Sequence, residues 1–100
     1  MNDEALPIEA NGVIAALSEL PFVSQTGDSF WLSEPTGHDA TDIDLGERYA
    51  LLAIEAARKC NSPVLLAFIL RDMVKGGTFT ALEAGFLSSV ASAAKAGVLN

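Results

Sequence analysis

Apolar side chains recur at mixed three- and four-residue spacings in several stretches of the chain and lose that period between them. Val13, Ile14, Ala16, Leu17 and Leu20 follow Asn11 and Gly12 and precede Pro21, which predicts a short amphipathic helix ending at the proline. Phe22 and Val23, then Phe30, Trp31 and Leu32, flank the polar run from Gln25 to Asp28. Residues 22–32 are therefore expected to form a short β-hairpin or extended excursion, with Gly27 free to take positive φ at its turn. From 33 to 42 no apolar period is visible, so residues 33–44 read as a polar loop turning at Pro35, Thr36 and Gly37.

A second helix is expected from Asp44, which can cap it, with Glu47 three residues on. Its apolar face is read as Leu45, Tyr49, Leu52, Ala53, Ala56 and Cys60, and Arg58 and Lys59 fall in its last turn. Ser62 and Pro63 restart a helix over 63–75. Val64 to Leu70 are apolar on every side of it, so it is expected to be the central, fully surrounded element. Gly76 and Gly77 stop that helix, and Thr80 with Glu83 forms a capping box for a last helix reaching about Ala96. The last helix carries two rows of small residues, Ala81, Gly85, Ser89, Ala93 and Ala84, Ser88, Ser92, Ala96, which permit close approach of another backbone.

The expected fold is thus mainly α, a small domain of about four helices. One domain spans 1–100: an acidic part over 1–43 with a short helix and the hairpin or loop, and a three-helix core over 44–100. Half of the residues are hydrophobic but only 7% aromatic, so the core must rely on dense aliphatic packing. Charge is divided along the chain. Residues 1–47 hold ten acids and no Lys or Arg, whereas six bases face three acids from Arg48 onward, for a net charge of −7. The two parts attract each other, within one chain or across a dimer.

That distribution weighs against nucleic acid, since counterion release needs a concentrated cationic stripe. The segment 63–96 has a helix-turn-helix outline, but its last helix offers only Lys95 as a base. The longest apolar run, Val64 to Leu70, is far below the roughly 20 residues of a membrane span. The opening Asn2, Asp3, Glu4 and Pro7 do not form an export signal, and a lone Cys60 suits a reducing compartment, so the expected location is the cytoplasm.

Few residue groups suggest chemistry. His38, Asp39, Asp42 and Asp44 place one imidazole and three carboxylates within seven residues, an acceptable ligand set for zinc, manganese or calcium, without the ordering of an EF-hand or a structural zinc site. Ser33, His38 and Asp39 are the residue types of a hydrolytic triad but lack the strand–turn–helix elbow that holds such a nucleophile. Arg58 and Lys59 favour a Cys60 thiolate, whereas its place at a helix C-terminus on an apolar face opposes one. The glycines match no phosphate-binding spacing, and no cofactor is implied. Phe30 and Trp31 are expected to close over the helical core.

The function expected from these features is a non-enzymatic protein–protein interaction or regulatory module, working as a homodimer or with another protein partner. Leu51 and Ile54 lie beside the main apolar face of the second helix and look surplus to burial on one side; with Arg58, Gly85 and Ser89 they form the expected interaction surface. The alternative is a small-ligand or metal-binding protein, with hydrolytic chemistry as an option, centred on His38, Asp39, Asp42 and Asp44.

Overall fold

A computed structural model describes residues 8–24, 26 and 28–97. Four helices follow in chain order: α1 (Ile8–Ser18), α2 (Asp39–Lys59), α3 (Val64–Gly76) and α4 (Ala81–Lys95). Among the described residues there is no strand. The expected hairpin is instead an excursion joined by two backbone hydrogen bonds, Ser24 N–H to Ser29 O at 2.9 Å and Leu32 N–H to Phe22 O at 2.6 Å. Two bonds do not make a ladder, and Gln25 and Gly27 at the expected turn lie outside the described residues.

The main contact of the fold is between α2 and α4, which run parallel, with α3 as the return between them. This corrects the sequence expectation twice. The buried stripe of α2 is Gly46, Ala50, Ala53, Ile54 and Ala57, one position away from the larger residues expected to form it. Leu52 is exposed, and Leu45, Tyr49, Ala56 and Cys60 are only partly buried. A Cβ on Gly46 would collide with the backbone of Leu82 and Phe86, and one on Gly85 with the backbone of Ile43. Two glycines thus face one another's helices at positions where no other residue fits.

Nor is α3 central. It buries Leu65, Leu66, Ile69, Asp72 and Met73 on one face and leaves Val64 and Val74 to solvent, Val74 at 79% exposure. An all-apolar run satisfied the pattern of a surrounded helix, but 100 residues supply only enough chain to cover one side of it.

The ends of the helices follow local chemistry. α2 begins at Asp39, five residues before the expected Asp44, with Asp39 and Asp42 in its first turn where the positive helix end favours acids. Its N-cap, His38, makes no side-chain cap hydrogen bond. α3 ends on Gly77 in the left-handed region at φ 75°, as the glycine pair predicts. Asn61 (φ 55°) turns the chain between α2 and α3. α4 has the expected capping box between Thr80 and Glu83.

One aromatic cluster closes the core where the excursion meets α2 and α4. Phe22 lies 5.2 Å from Trp31, 4.9 Å from Tyr49 and 5.9 Å from Phe86, and Trp31 lies 5.0 Å from Phe86, all tilted or edge-on as ring quadrupoles prefer. Trp31 and Phe22 are buried, so the expectation that the excursion closes over the helices holds. Phe30 is half-buried against Phe68 at 5.9 Å, with the Arg71 guanidinium over both rings.

Candidate functional site

Beyond the glycines, the α2–α4 contact opens into a shallow groove of about 480 Å³ between the C-terminal halves of the two helices. α2 contributes Leu51, Ile54, Glu55 and Arg58, and α4 contributes a floor of small residues that includes Ser89 and Ala93. Four of the five residues expected to form an interaction surface therefore meet in one depression, and their situations differ. Leu51 is 63% exposed, Arg58 is exposed, Ser89 is half-buried, and Ile54 is buried within the chain. Ile54 is thus a wall of the groove and not surplus apolar surface. Gly85, the fifth, is buried under Ile43 inside the α2–α4 contact and is not part of the surface at all.

The groove carries both signs of charge. Glu55 accepts only a long contact from Lys59, 3.9 Å between exposed side chains, and Arg58 has no carboxylate within salt-bridge distance among the described residues. All described ion pairs are local in sequence: Asp44 with Arg48, Glu55 with Lys59, Arg71 with Asp72. Only the first joins the acidic and basic parts of the chain, and it does so within one helix.

The residues of the alternative ligand site are not gathered around a common point. Asp42 is buried and its carboxylate accepts the Thr36 N–H, the Thr36 hydroxyl and the Gly37 N–H. The Thr36 N–H hydrogen bond, helped by the Thr36 hydroxyl, the Gly37 N–H and the charge of His38, holds this carboxyl below its ordinary pKa against the opposing effect of burial. Asp44 is paired with Arg48 at 2.5 Å, and His38 and Asp39 are exposed at the start of α2. Among the described residues no three His, Cys, Asp or Glu side chains are placed to hold a metal ion together. Ser33 Oγ is buried without any hydrogen-bond partner, so no bond links it to His38 or Asp39.

Two features escape a reading of the sequence. Thr78 and Phe79 at the α3–α4 turn, with Leu70, Met73, Val74 and Leu87, border an apolar cleft of about 380 Å³, and Phe79 is 64% exposed. A phenylalanine in a turn between polar neighbours was the available signal. The second is the role of Asp42, Asp72 and Glu83, the three buried charged residues among those described, one on each of α2, α3 and α4. Burial of an acid leaves no trace in hydropathy; only the spacing of Thr80 to Glu83 hinted at one of them.

Cys60 is half-buried, and its Sγ lies 3.7 Å from the Ala57 carbonyl oxygen. None of the helices described is long and apolar enough to cross a membrane. No protein-family model matches the chain, and no curated protein or solved structure matches it significantly.

Proposed function

We propose that this chain is a non-enzymatic protein–protein interaction module that works as a homodimer through the α2–α4 groove. The observation that carries the reading is Leu51, an exposed leucine on the rim of a groove floored by small side chains. A floor of Ser and Ala accepts a large side chain from outside, and Leu51 is a large side chain without cover. A twofold arrangement satisfies both at once, each subunit's Leu51 entering the other's groove.

Charge supports a second copy over a different partner. Glu55 and Arg58 lie on the same groove, so the twofold arrangement proposed is one that sets Arg58 of each subunit beside Glu55 of the other. Each such exposed pair adds about 0–1 kcal/mol and acts mainly on orientation.

The test is molar mass by light scattering at micromolar protein. Wild type is expected to be a dimer, Leu51→Glu a monomer and Arg58→Glu a weaker dimer. Adding Glu55→Arg to Arg58→Glu restores the charge pairing with the signs exchanged, and the double variant should regain the lost affinity. A monomeric wild type, or a dimer indifferent to Leu51→Glu, overturns the proposal.

A further inference from the structure

We infer that residues 29–37 form a strap that opens as one unit, and is released by acid, while the α2–α4 contact stays closed. The strap crosses the end of the helical layer opposite the groove, at the N-terminal ends of α2 and α4. Among the described residues, each hydrogen bond from strap to helix ends on a carboxylate. Asp72 of α3 accepts the Phe30 N–H at 2.8 Å, Glu83 of α4 accepts the Trp31 indole N–H at 2.9 Å, and Asp42 of α2 accepts from Thr36 and Gly37.

Beyond these the segment is held by backbone bonds from Ser24 to Ser29 and from Leu32 to Phe22, by Phe30 against Phe68, and by Trp31 against Phe22 and Phe86. Trp31 is its one buried side chain, Leu32 is 61% exposed, and residues 34–37 are exposed. Ser33 Oγ, buried and unbonded, regains a partner in water when the strap lifts, which favours opening. Elements with few buried contacts and hydrogen bonds near solvent are those that open below the global unfolding free energy.

Each of the three acceptors is an acid held below its ordinary pKa. Asp72 is held low first by the Arg71 hydrogen bond, then by the Phe30 N–H and the charges of Arg71 and Lys75, with burial opposing. For Glu83, burial pushes upward and is outweighed by hydrogen bonds from Thr80 and the Trp31 indole, leaving it lowered. Asp42 faces Thr36, Gly37 and His38 as described above. A carboxyl lowered by folding stabilises above its unfolded pKa, and that stabilisation is lost as pH falls through the folded value. Each clamp therefore weakens as pH falls below the ordinary carboxylate range and through its own folded value. The facing residues of the α2–α4 contact, Gly46, Ala50, Ala53, Ala57 and Gly85, carry no ionisable side chain. Acid spares that contact apart from the first turns of α2 and α4, which hold Asp42 and Glu83.

Trp31 is the one tryptophan of the chain and reports the strap directly. On lowering the pH of the full-length protein, its fluorescence is expected to shift to the red before the far-ultraviolet helix signal falls. At pH 7, Asp72→Asn is expected to speed amide exchange across the described strap by about tenfold, the loss of one charge-assisted hydrogen bond, with Ala50–Ala57 of α2 unchanged. Coincident loss of tryptophan and helix signals in the wild type overturns the inference. So does a uniform rise in exchange across strap and helices in Asp72→Asn. If that variant does not fold, the wild-type pH comparison decides alone.

Discussion

The α2–α4 contact and the strap are two opposite solutions to covering a small core. The first brings two backbones together by removing side chains: Gly46 and Gly85 each lie against the main chain of the other helix, and Ala50, Ala53 and Ala57 continue the stripe. The second brings an irregular segment onto the same helices with one large anchor, Trp31, and three buried acids that take its donors. Steric fit at the helix contact tolerates no added atom but ignores pH and salt. Hydrogen bonding at the strap tolerates changes of shape but depends on charge. Closeness of backbones and completeness of hydrogen bonding are therefore separable sources of stability in this fold.

The sharpest way to break that contrast is a methyl group. Alanine replaces glycine in an exposed helix interior with a gain of about 1 kcal/mol. At Gly85 or Gly46 the new Cβ would meet backbone, which cannot rotate away, so the sign should invert. Gly85→Ala and Gly46→Ala are each expected to cost about 3 kcal/mol, the upper end for overpacking, read as a drop in the urea midpoint. A midpoint at or above wild type for either would show that the helices have room to spread.

Next in size is Trp31→Phe, which keeps most of the ring but removes the donor to Glu83. It leaves a buried carboxylate oxygen short of a partner and is expected to cost roughly 1–3 kcal/mol at pH 7. Because the protonated acid misses that donor less, the deficit should shrink as pH falls through the folded pKa of Glu83, which lies below its ordinary 4.5. A deficit independent of pH would assign the loss to packing alone.

The smallest expected effect is a gain. Gly12 lies within α1, and a Cβ there meets nothing within 4 Å, so Gly12→Ala should stabilise the protein by about 0.4–1 kcal/mol in thermal or urea unfolding. Set beside Gly85→Ala, it makes the same substitution in two helices of one domain give opposite signs. Destabilisation by Gly12→Ala would show that propensity does not govern α1.

Legibility of the sequence followed the same division. The stop at Gly76 and Gly77 and the Thr80–Glu83 capping box were readable because they are local, fixed within three or four residues. The small rows of α4 announced a close approach correctly, but the matching row of α2 was hidden behind Leu45, Tyr49 and Leu52, whose hydrophobicity outweighs that of Gly46, Ala50 and Ala53. A hydropathy pattern weights a face by size, whereas a close contact is selected for smallness. The start of α2 was misplaced for a related reason: Asp42 reads as loop until its donors, Thr36 and Gly37, are known to fold back onto it. Of the candidate surface, Leu51, Arg58 and Ser89 could be found from helical spacing, while the burial of Ile54 and Gly85 depended on which helix lay opposite.

The small-residue contact also changes how this domain answers temperature. Glycine and alanine surrender no rotamer freedom when buried, so ordering Gly46, Ala50, Ala53, Ala57 and Gly85 carries less of the side-chain entropy that a leucine-lined contact would lose. It also hides little hydrocarbon. Heat-capacity change on unfolding scales with apolar surface exposed, and two helices joined largely through backbone expose less of it per residue than helices joined through large side chains. The stripe should accordingly add less to the curvature of the stability curve than the same number of leucines, and Leu17, Phe22, Leu65, Ile69 and Phe86 supply most of it.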